Sequence, residues 1–225
     1  MTPDIITDGS TRSAAYTGWY ARYIFPYIEI AATSGLAKIR RRLLSHARGR
    51  VVEIGAGAAQ NMAFLPETVH PYFPTDPSPV MVSKAKQRLL RRRSYKSDAQ
   101  VIRAAAERMP IKDETADTVI SFLVLCSVQD PSAALSEIHR LLRPEGRFLF
   151  FEHVLAARTS TIRWQNRITP LWKRIGGGCH LNRKTSDYIE QGGFRFIQLQ
   201  RYRSQKMGPA ITSNVIEGIA AKNDP

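Results

Sequence analysis

The stretch VVEIGAGAAQN, residues 51–61, ends a short apolar run in two glycines spaced one residue apart. A buried strand that opens into glycines lets the backbone approach a ligand closely, and a helix that follows it offers free N–H groups. Asp76 lies nineteen residues after Gly57, at the end of the next expected strand. That spacing suits a carboxylate that accepts the two hydroxyls of a ribose. The stretch therefore predicts a loop that binds a nucleoside.

Two features of this loop distinguish between nucleoside ligands. A dinucleotide-binding loop has a third glycine that allows close helix packing at the pyrophosphate, but position 60 here is Gln60. The Gly-Lys-Ser/Thr ending of a phosphate-binding P-loop is absent as well. Glu53 places a negative charge where a pyrophosphate would be repelled and a sulfonium with an ammonium group attracted. Both features favour S-adenosylmethionine over NAD.

Strand-like and helix-like segments alternate along the chain. Continuous apolar runs predict strands and 3.6-residue periodicity predicts helices. The strands are expected at 50–55, 72–76, 100–104, 117–126, 147–154, about 194–202 and about 211–221, and the helices at 36–48, 79–93, 130–146 and 185–193. This alternation predicts an α/β, Rossmann-like fold, with a seven-stranded, mainly parallel sheet and helices on both faces. We expect a single domain over 1–225, with a lid or interfacial helix in 1–35 and an inserted cap at 155–184.

Composition excludes several classes of protein. The chain has 225 residues, of which 43% are hydrophobic, so a packed core is expected. Only two cysteines are present, which excludes a disulfide scaffold or a cysteine-rich zinc site and favours a reducing, cytoplasmic location. No apolar run approaches the roughly 20 residues that cross a bilayer, and the N-terminus does not resemble a secretory signal.

The net charge of +14 favours an anionic partner. Arginine triplets at 40–42 and 91–93 lie inside helix-like stretches, and we interpret them as solvated helix faces. An anionic membrane surface, touched peripherally, is the alternative. Neither triplet has interleaved aromatic residues that would stack on bases, which argues against nucleic acid. The sequence leaves open whether the chain is a monomer or a homodimer.

A resemblance extends these expectations. The segment AAAERMPIKDETADTVIS, residues 104–121, resembles the adenine-contacting segment of class I S-adenosylmethionine-dependent methyltransferases. The resemblance implies S-adenosylmethionine as cofactor and S-adenosylhomocysteine as product. With the glycine loop, it gives the expected cofactor site as Glu53, Gly55, Ala56, Gly57, Asn61, Asp76, Pro77, Ser78, Met81, Ala105, Ala106, Glu107, Leu125 and Cys126.

A narrower resemblance concerns the second half of the chain. LVLCSVQ (123–129), FFEHV (150–154), WQ (164–165), PLWKRIGGGCHLNRKT (170–185) and GPAI (208–211) resemble the alkyl-thiol S-methyltransferase family. This resemblance implies methyl transfer to the sulfur of an apolar, small-molecule thiol or sulfide. N- or C-methylation of a membrane-associated acceptor, such as a phospholipid amine or a quinone ring, is the alternative. A non-catalytic nucleic-acid-binding module is the third interpretation.

Methyl transfer from a sulfonium is an in-line displacement that needs alignment, exclusion of water and a deprotonated nucleophile, but no metal. His153 ends the fifth expected strand and His180 follows three glycines, so either is a candidate to orient or deprotonate the acceptor. Cys179 is interpreted as a packed small residue rather than a nucleophile. An aromatic face in the N-terminal segment is interpreted as core, lid or membrane contact. The expected acceptor pocket comprises Tyr16, Tyr20, Trp164, Trp172 and Cys179.

Overall fold

A computed structural model describes residues 25–91 and 99–223, with side chains from residue 35 onwards apart from that of Ile175. Tyr16 and Tyr20, two residues of the predicted acceptor pocket, lie outside the described residues, as does most of the segment 1–35. In the described part of the chain no helix is both long and apolar enough to cross a membrane.

Seven strands form one sheet in the order β3-β2-β1-β4-β5-β7-β6. Strands β1 to β5 pair in parallel, whereas β7 is antiparallel to both β5 and β6. The predicted seven-stranded, mainly parallel sheet is therefore confirmed. The strands are β1 Gly49–Ile54, β2 Val69–Asp76, β3 Ile102–Arg103, β4 Ala116–Phe122, β5 Leu142–His153, β6 Phe194–Arg203 and β7 Asn214–Lys222.

Five α-helices accompany the sheet in the described residues. They are α1 Phe25–Leu44, α2 Pro79–Arg91, α3 Pro131–Leu141, α4 Thr159–Ile175 and α5 Thr185–Gln191, with short 3-10 helices at Gln60–Phe64 and Gln205–Met207. Adjacent strand residues enter different apolar clusters, Val51 one and Val52 the other, as the two-residue period of a strand requires. The central strands, β1, β4 and β5, are therefore buried on both faces, which accounts for their continuous apolar runs.

Several predicted boundaries were wrong. Helix α1 ends at Leu44, not at residue 48, and strand β3 has two residues instead of five. Strand β4 ends at Phe122, not at Cys126, because Leu123 takes a left-handed conformation with φ of 63°. The chain then turns across the edge of the sheet, and this turn carries site residues.

Helix α3 illustrates why one helix boundary was correct and the other was not. The Asp130 side chain accepts hydrogen bonds from the N–H groups of Ser132 and Ala133, as expected of an N-cap. The helix ends at Leu141 rather than at residue 146, because Pro144 cannot extend it and disfavours helical backbone at the residue before it.

One of the two arginine triplets is only partly a solvated face. Arg40 is buried: its Nε donates to Asn61 Oδ1 at 2.7 Å and its guanidinium lies over the Phe122 ring. Arg42 remains exposed and pairs with Glu217. The interpretation of 40–42 as a solvated face was therefore wrong for its first residue, which fastens α1 to the segment after the glycine loop.

Candidate active site

The glycine loop leaves β1 in a conformation that few residues adopt. Gly55 and Gly57 have φ of 54° and 55°, in the left-handed region. A Cβ atom at Gly55 would also lie 2.6 Å from the Val124 side chain. The backbone conformation and the lack of space therefore both favour glycine at this position. The helix expected after the loop is the five-residue 3-10 helix Gln60–Phe64.

Asp76, at the end of β2, holds this loop in place. Its Oδ2 accepts the N–H of Gly57 at 3.0 Å, and its Oδ1 accepts the N–H of Ser78 at 2.8 Å. The N–H of Ala56 bonds to the carbonyl of Thr75 at 2.8 Å. Asp76 thus contacts the loop, while its contact with a ribose stays a prediction.

Glu53 lies in a buried network rather than at an open surface. Its carboxylate accepts hydrogen bonds from Asn61 Nδ2, at 2.8 Å, and from the Tyr72 hydroxyl. Burial raises the pKa of Glu53 from its ordinary 4.5 to about 7, against the opposing effects of these two bonds and of Arg40. Near neutral pH the charge of this group is therefore set by its surroundings, including any cation that binds nearby.

The predicted adenine segment packs against the end of β4. Ala106 is buried, and the N–H of Arg108 bonds to the carbonyl of Ala105. Glu107 Oε1 accepts the N–H of Gln129 at 3.1 Å, which ties this segment to the turn that follows β4. The other predicted cofactor residues lie at or near the same edge: Pro77 and Ser78 after β2, Met81 in the first turn of α2, and Leu125 and Cys126 after β4.

Glu152 is a site residue that the sequence reasoning missed. It is fully buried in β5, and it accepts hydrogen bonds from Ser121 Oγ at 2.6 Å, from the N–H of Val124 at 3.0 Å and from the N–H of Cys126 at 3.1 Å. One carboxylate thus fixes the turn that carries Cys126. The acid was visible within the FFEHV motif, but its partners depend on the pairing of β4 with β5.

Three side chains predicted separately meet at one point. His153 Nδ1 lies 3.4 Å from Cys179 Sγ and 3.8 Å from Cys126 Sγ, and all three side chains are buried. Trp172 packs against the two cysteines and Leu181. The pKa of the Cys126 thiol is raised, mainly by its hydrogen bond with Cys179 and then by burial. We call Cys126, His153 and Cys179 the thiol–imidazole cluster.

His180 faces a different partner. The backbone N–H of His180 donates to the carbonyl of Cys126 at 2.7 Å, and the imidazole Nδ1 lies 3.2 Å from a guanidinium nitrogen of Arg183. Burial lowers the pKa of His180, and the charges of Arg183 and Lys173 lower it further. Since an arginine only donates hydrogen bonds, His180 Nδ1 is the acceptor here and the imidazole proton is on Nε2.

The predicted cap, 155–184, consists largely of helix α4. Gln165 anchors it: Oε1 accepts the N–H of Ala156 at 2.8 Å, while Nε2 donates to the carbonyls of Val154 and Ile211. Trp164, predicted to line the pocket, is 56% exposed, whereas the neighbouring Gln165 is buried. The structure therefore brings Trp172 and Cys179 together but does not place Trp164 with them.

Comparisons with known proteins show the family of this chain. A family described as a methyltransferase domain matches residues 52–150. The rat thiol S-methyltransferase TMT1B is 31% identical over 74% of this chain and 70% of its own length. Human TMT1B is 31% identical over 79% and 78%, and human TMT1A is 30% identical over 83% and 81%.

Solved structures with similar folds include two different chemistries. Geranyl diphosphate C-methyltransferase from Streptomyces coelicolor, with S-adenosyl-L-homocysteine bound, has a TM-score of 0.65 at 11% identity, over 84% of this chain and 77% of its own. The [4+2]-cyclase SpnF has a TM-score of 0.64 at 16% identity, over 84% and 80%. At such identities the likeness shows the fold alone.

The sheet order, the glycine loop and these matches define a class I methyltransferase that uses S-adenosylmethionine. Within that class, the chain belongs to the family of the thiol S-methyltransferases TMT1A and TMT1B. The residues present fit the cofactor, since the loop of Gly55 and Gly57 is fixed by a hydrogen bond to Asp76 at the carboxyl edge of the sheet. When bound, S-adenosylmethionine supplies an activated methyl group.

Proposed function

We propose that this enzyme methylates the sulfur of an apolar, small-molecule thiol. The observation that carries the proposal is the extent of the matches with the thiol S-methyltransferases. They cover 74–83% of the chain, whereas residues 1–150 amount to only two thirds of 225 residues. Each match must therefore extend past β5 into the segment that carries the cap, where methyltransferases of one fold differ in their acceptors.

The surroundings of the cluster suit such an acceptor. Leu125, Leu181 and the two cysteines are buried, and Trp172 packs against Leu181 and the cysteines, so the region excludes water and offers apolar contact. Exclusion of water favours the displacement, because a thiolate and a sulfonium lose opposite charges as they react. A cysteine thiol has an ordinary pKa near 8.5 and a simple alkyl thiol is a weaker acid, so stabilisation of the acceptor anion favours the reaction near neutral pH.

The two candidate histidines differ in what they can do. His180 has its Nδ1 lone pair turned to Arg183, so it can donate a hydrogen bond from Nε2 but is poorly arranged to accept a proton. This favours a role in orienting the acceptor. His153 lies inside the cluster with Nδ1 facing both cysteine sulfur atoms, so it is the candidate that positions the acceptor sulfur.

A panel of acceptors tests the proposal. The enzyme is incubated with methyl-labelled S-adenosylmethionine and, separately, an alkyl thiol, an alkyl amine, a phenol and vesicles that contain phosphatidylethanolamine. We expect a labelled methyl thioether from the thiol and no labelled product from the other three. Asp76→Ala should form much less of this product at limiting S-adenosylmethionine, while Glu67→Gln, an exposed change, should retain it. Label transferred to an amine, a phenol or a lipid, and none to the thiol, would overturn the sulfur assignment.

A further inference from the structure

The two cysteines of this chain are 53 positions apart, yet both sulfur atoms lie beside one imidazole nitrogen. Cys126 Sγ, Cys179 Sγ and a ring nitrogen of His153 all lie within 4.8 Å of one another. Within the described residues this is the only group of three or more histidine, cysteine or acidic side chains arranged so closely. Sulfur and imidazole nitrogen are the ligands that zinc prefers.

The separations match those of ligands around a tetrahedral metal ion. Zinc lies about 2.3 Å from thiolate sulfur and about 2.0–2.1 Å from imidazole nitrogen, so tetrahedral angles place sulfur and nitrogen about 3.6 Å apart. The observed distances from His153 Nδ1 are 3.4 Å to Cys179 Sγ and 3.8 Å to Cys126 Sγ. No large movement is needed for one ion to reach all three atoms.

The backbone around the cluster is held firmly. The N–H of Cys126 bonds to Glu152, and its carbonyl accepts the N–H of His180, the residue after the second cysteine. The carbonyl of His153 accepts the Thr185 hydroxyl at 3.2 Å. A metal site needs ligands that are fixed in advance by such contacts.

A second observation comes from His153 itself. This side chain is more than nine-tenths buried, and within the described part of the chain its Nε2 has no hydrogen-bond partner. A buried polar group without a partner is costly, and such groups call for an explanation such as a catalytic role or a bound ligand. If Nδ1 binds a metal, the ion does not supply this missing partner: Nε2 carries the proton of the neutral imidazole and can donate only to a ligand bound beside the site.

We propose that Cys126, His153 and Cys179 bind one zinc ion and that the sulfur of the acceptor thiol occupies its fourth position. Zinc sites in enzymes commonly have three protein ligands and one position for water or substrate. No other histidine, cysteine or acidic side chain joins the three among the described residues. This inference rests on the proposed function, because it assigns the zinc ion to activation of a thiol.

The reaction balances without an oxidant or a reductant. The acceptor thiol releases its proton to solvent and binds the zinc ion as a thiolate. A lone pair of this sulfur forms the new bond to the methyl carbon while the bond from that carbon to the sulfonium sulfur breaks. The products are a methyl thioether and S-adenosylhomocysteine, and the neutral thioether, a weaker ligand than the thiolate, leaves the metal.

Cobalt(II) is the probe for this site. The enzyme, purified with a reductant and freed of metal by a chelator, is titrated with cobalt(II) in the absence of S-adenosylmethionine. We expect one ion per chain, a near-ultraviolet sulfur-to-cobalt charge-transfer band and the intense visible bands of tetrahedral cobalt. Because the chain has only two cysteines, the charge-transfer band from the unaltered enzyme already identifies these ligands. No such band would overturn the metal site.

Substitutions and a thiol titration sharpen the result. Cys126→Ser, Cys179→Ser and His153→Gln should each weaken cobalt binding about 100-fold or more, since loss of even an outer partner of a ligand costs about 10- to 100-fold. His46→Gln, remote from the cluster, should bind cobalt normally. Addition of an alkyl thiol should strengthen the charge-transfer band and shift the visible bands, and unchanged spectra would overturn the fourth-position assignment.

The two proposals fail separately. If labelled thioether forms but the enzyme binds neither cobalt nor zinc, the metal site is wrong and the thiol assignment stands. If cobalt binds through both cysteines but label passes only to amines or phenols, the thiol assignment is wrong, and the role of the metal in activating a thiol falls with it.

Discussion

The carboxylate of Glu152, in β5, accepts the backbone N–H of Cys126 at 3.1 Å. This bond joins two neighbouring parallel strands at their carboxyl ends, where the turn after β4 would otherwise present unpaired N–H groups to the interior. The same carboxylate accepts the N–H of Val124, whose side chain lies against Gly55. One acid therefore connects the glycine loop to the thiol–imidazole cluster.

Replacing Glu152 with glutamine should loosen this turn. The amide has one acceptor oxygen for three donors, so at least one buried N–H or O–H loses its partner. We expect the free energy of unfolding to fall by about 1–3 kcal/mol, measured by chemical denaturation. Cys126 should also react faster with a thiol reagent in the folded variant. Glu145→Gln, on the exposed segment at the opposite end of β5, should change neither quantity.

Asp76→Ala and Asp76→Asn should separate two contributions to cofactor binding. Alanine removes both acceptors of the Gly57 and Ser78 N–H groups, whereas asparagine retains one acceptor oxygen. We expect the affinity for S-adenosylmethionine, measured by calorimetry, to fall roughly 10- to 100-fold for alanine and less for asparagine. Equal affinity for alanine and the unaltered enzyme, with unchanged circular dichroism, would show that this loop does not hold the cofactor.

Glu53 should make stability depend on pH in an unusual direction. Its pKa is raised to about 7 in the folded chain, so between about 4.5 and 7 the folded state binds more protons than the unfolded state. The contribution of Glu53 to the free energy of unfolding is therefore fully present at low pH. It falls by roughly 2–4 kcal/mol as the pH rises through that window, and it does not change further at higher pH.

Denaturation at about pH 5 and about pH 8 measures this effect. The difference in unfolding free energy between the two pH values should be smaller in Glu53→Gln than in the unaltered chain, because glutamine does not titrate. Glu67→Gln, an exposed control, should leave the difference unchanged. If Glu53→Gln had the same pH dependence as the unaltered chain, the raised pKa of Glu53 would be wrong.

Arg183 should control the titration of His180. Burial is the main cause of the lowered pKa of His180, and the charge of Arg183 is the next. Arg183→Gln should therefore raise the pKa of His180 part of the way towards its ordinary value, as followed by NMR of the imidazole. Arg183→Lys retains the charge and should keep it low.

Arg174→Gln provides the matched control for this titration. Arg174 is exposed on α4 and is not among the causes of the lowered pKa of His180. A shift in Arg174→Gln as large as that in Arg183→Gln would show that the effect comes from net charge rather than from the contact with Arg183.

Much of the fold follows from local sequence. Apolar runs predicted strands β1, β4 and β5, and Asp130–Pro131 predicted the start of α3. The structure confirms each of these elements. The ends of elements were less predictable. The sequence around Leu123 does not predict its left-handed conformation, because that conformation depends on the hydrogen bonds that Glu152 makes between the two strands.

The site was predictable in part for the same reason. The sequence indicated that Asp76 ends the strand after the glycine loop, and the structure shows it bonded to Gly57, because a strand, a loop and a second strand fix their separation. The thiol–imidazole cluster forms because the chain returns over the edge of the sheet after the cap and brings Cys179 to Cys126 and His153. The spacing of these residues in the sequence does not predict that return. The proposed zinc site would depart from the sequence-based exclusion of a cysteine-rich zinc site, because that exclusion considered the number of cysteines alone.

The burial of both cysteines also makes them reporters of motion. They are 1% and 4% exposed, so a reagent such as a disulfide dye can reach them only when the region under Trp172 opens. The rate of dye release from an excess of reagent then measures how often this region opens. The folded chain presents no other thiol to compete, so an added surface cysteine could carry a fluorophore while the native pair stays unlabelled on a short time scale.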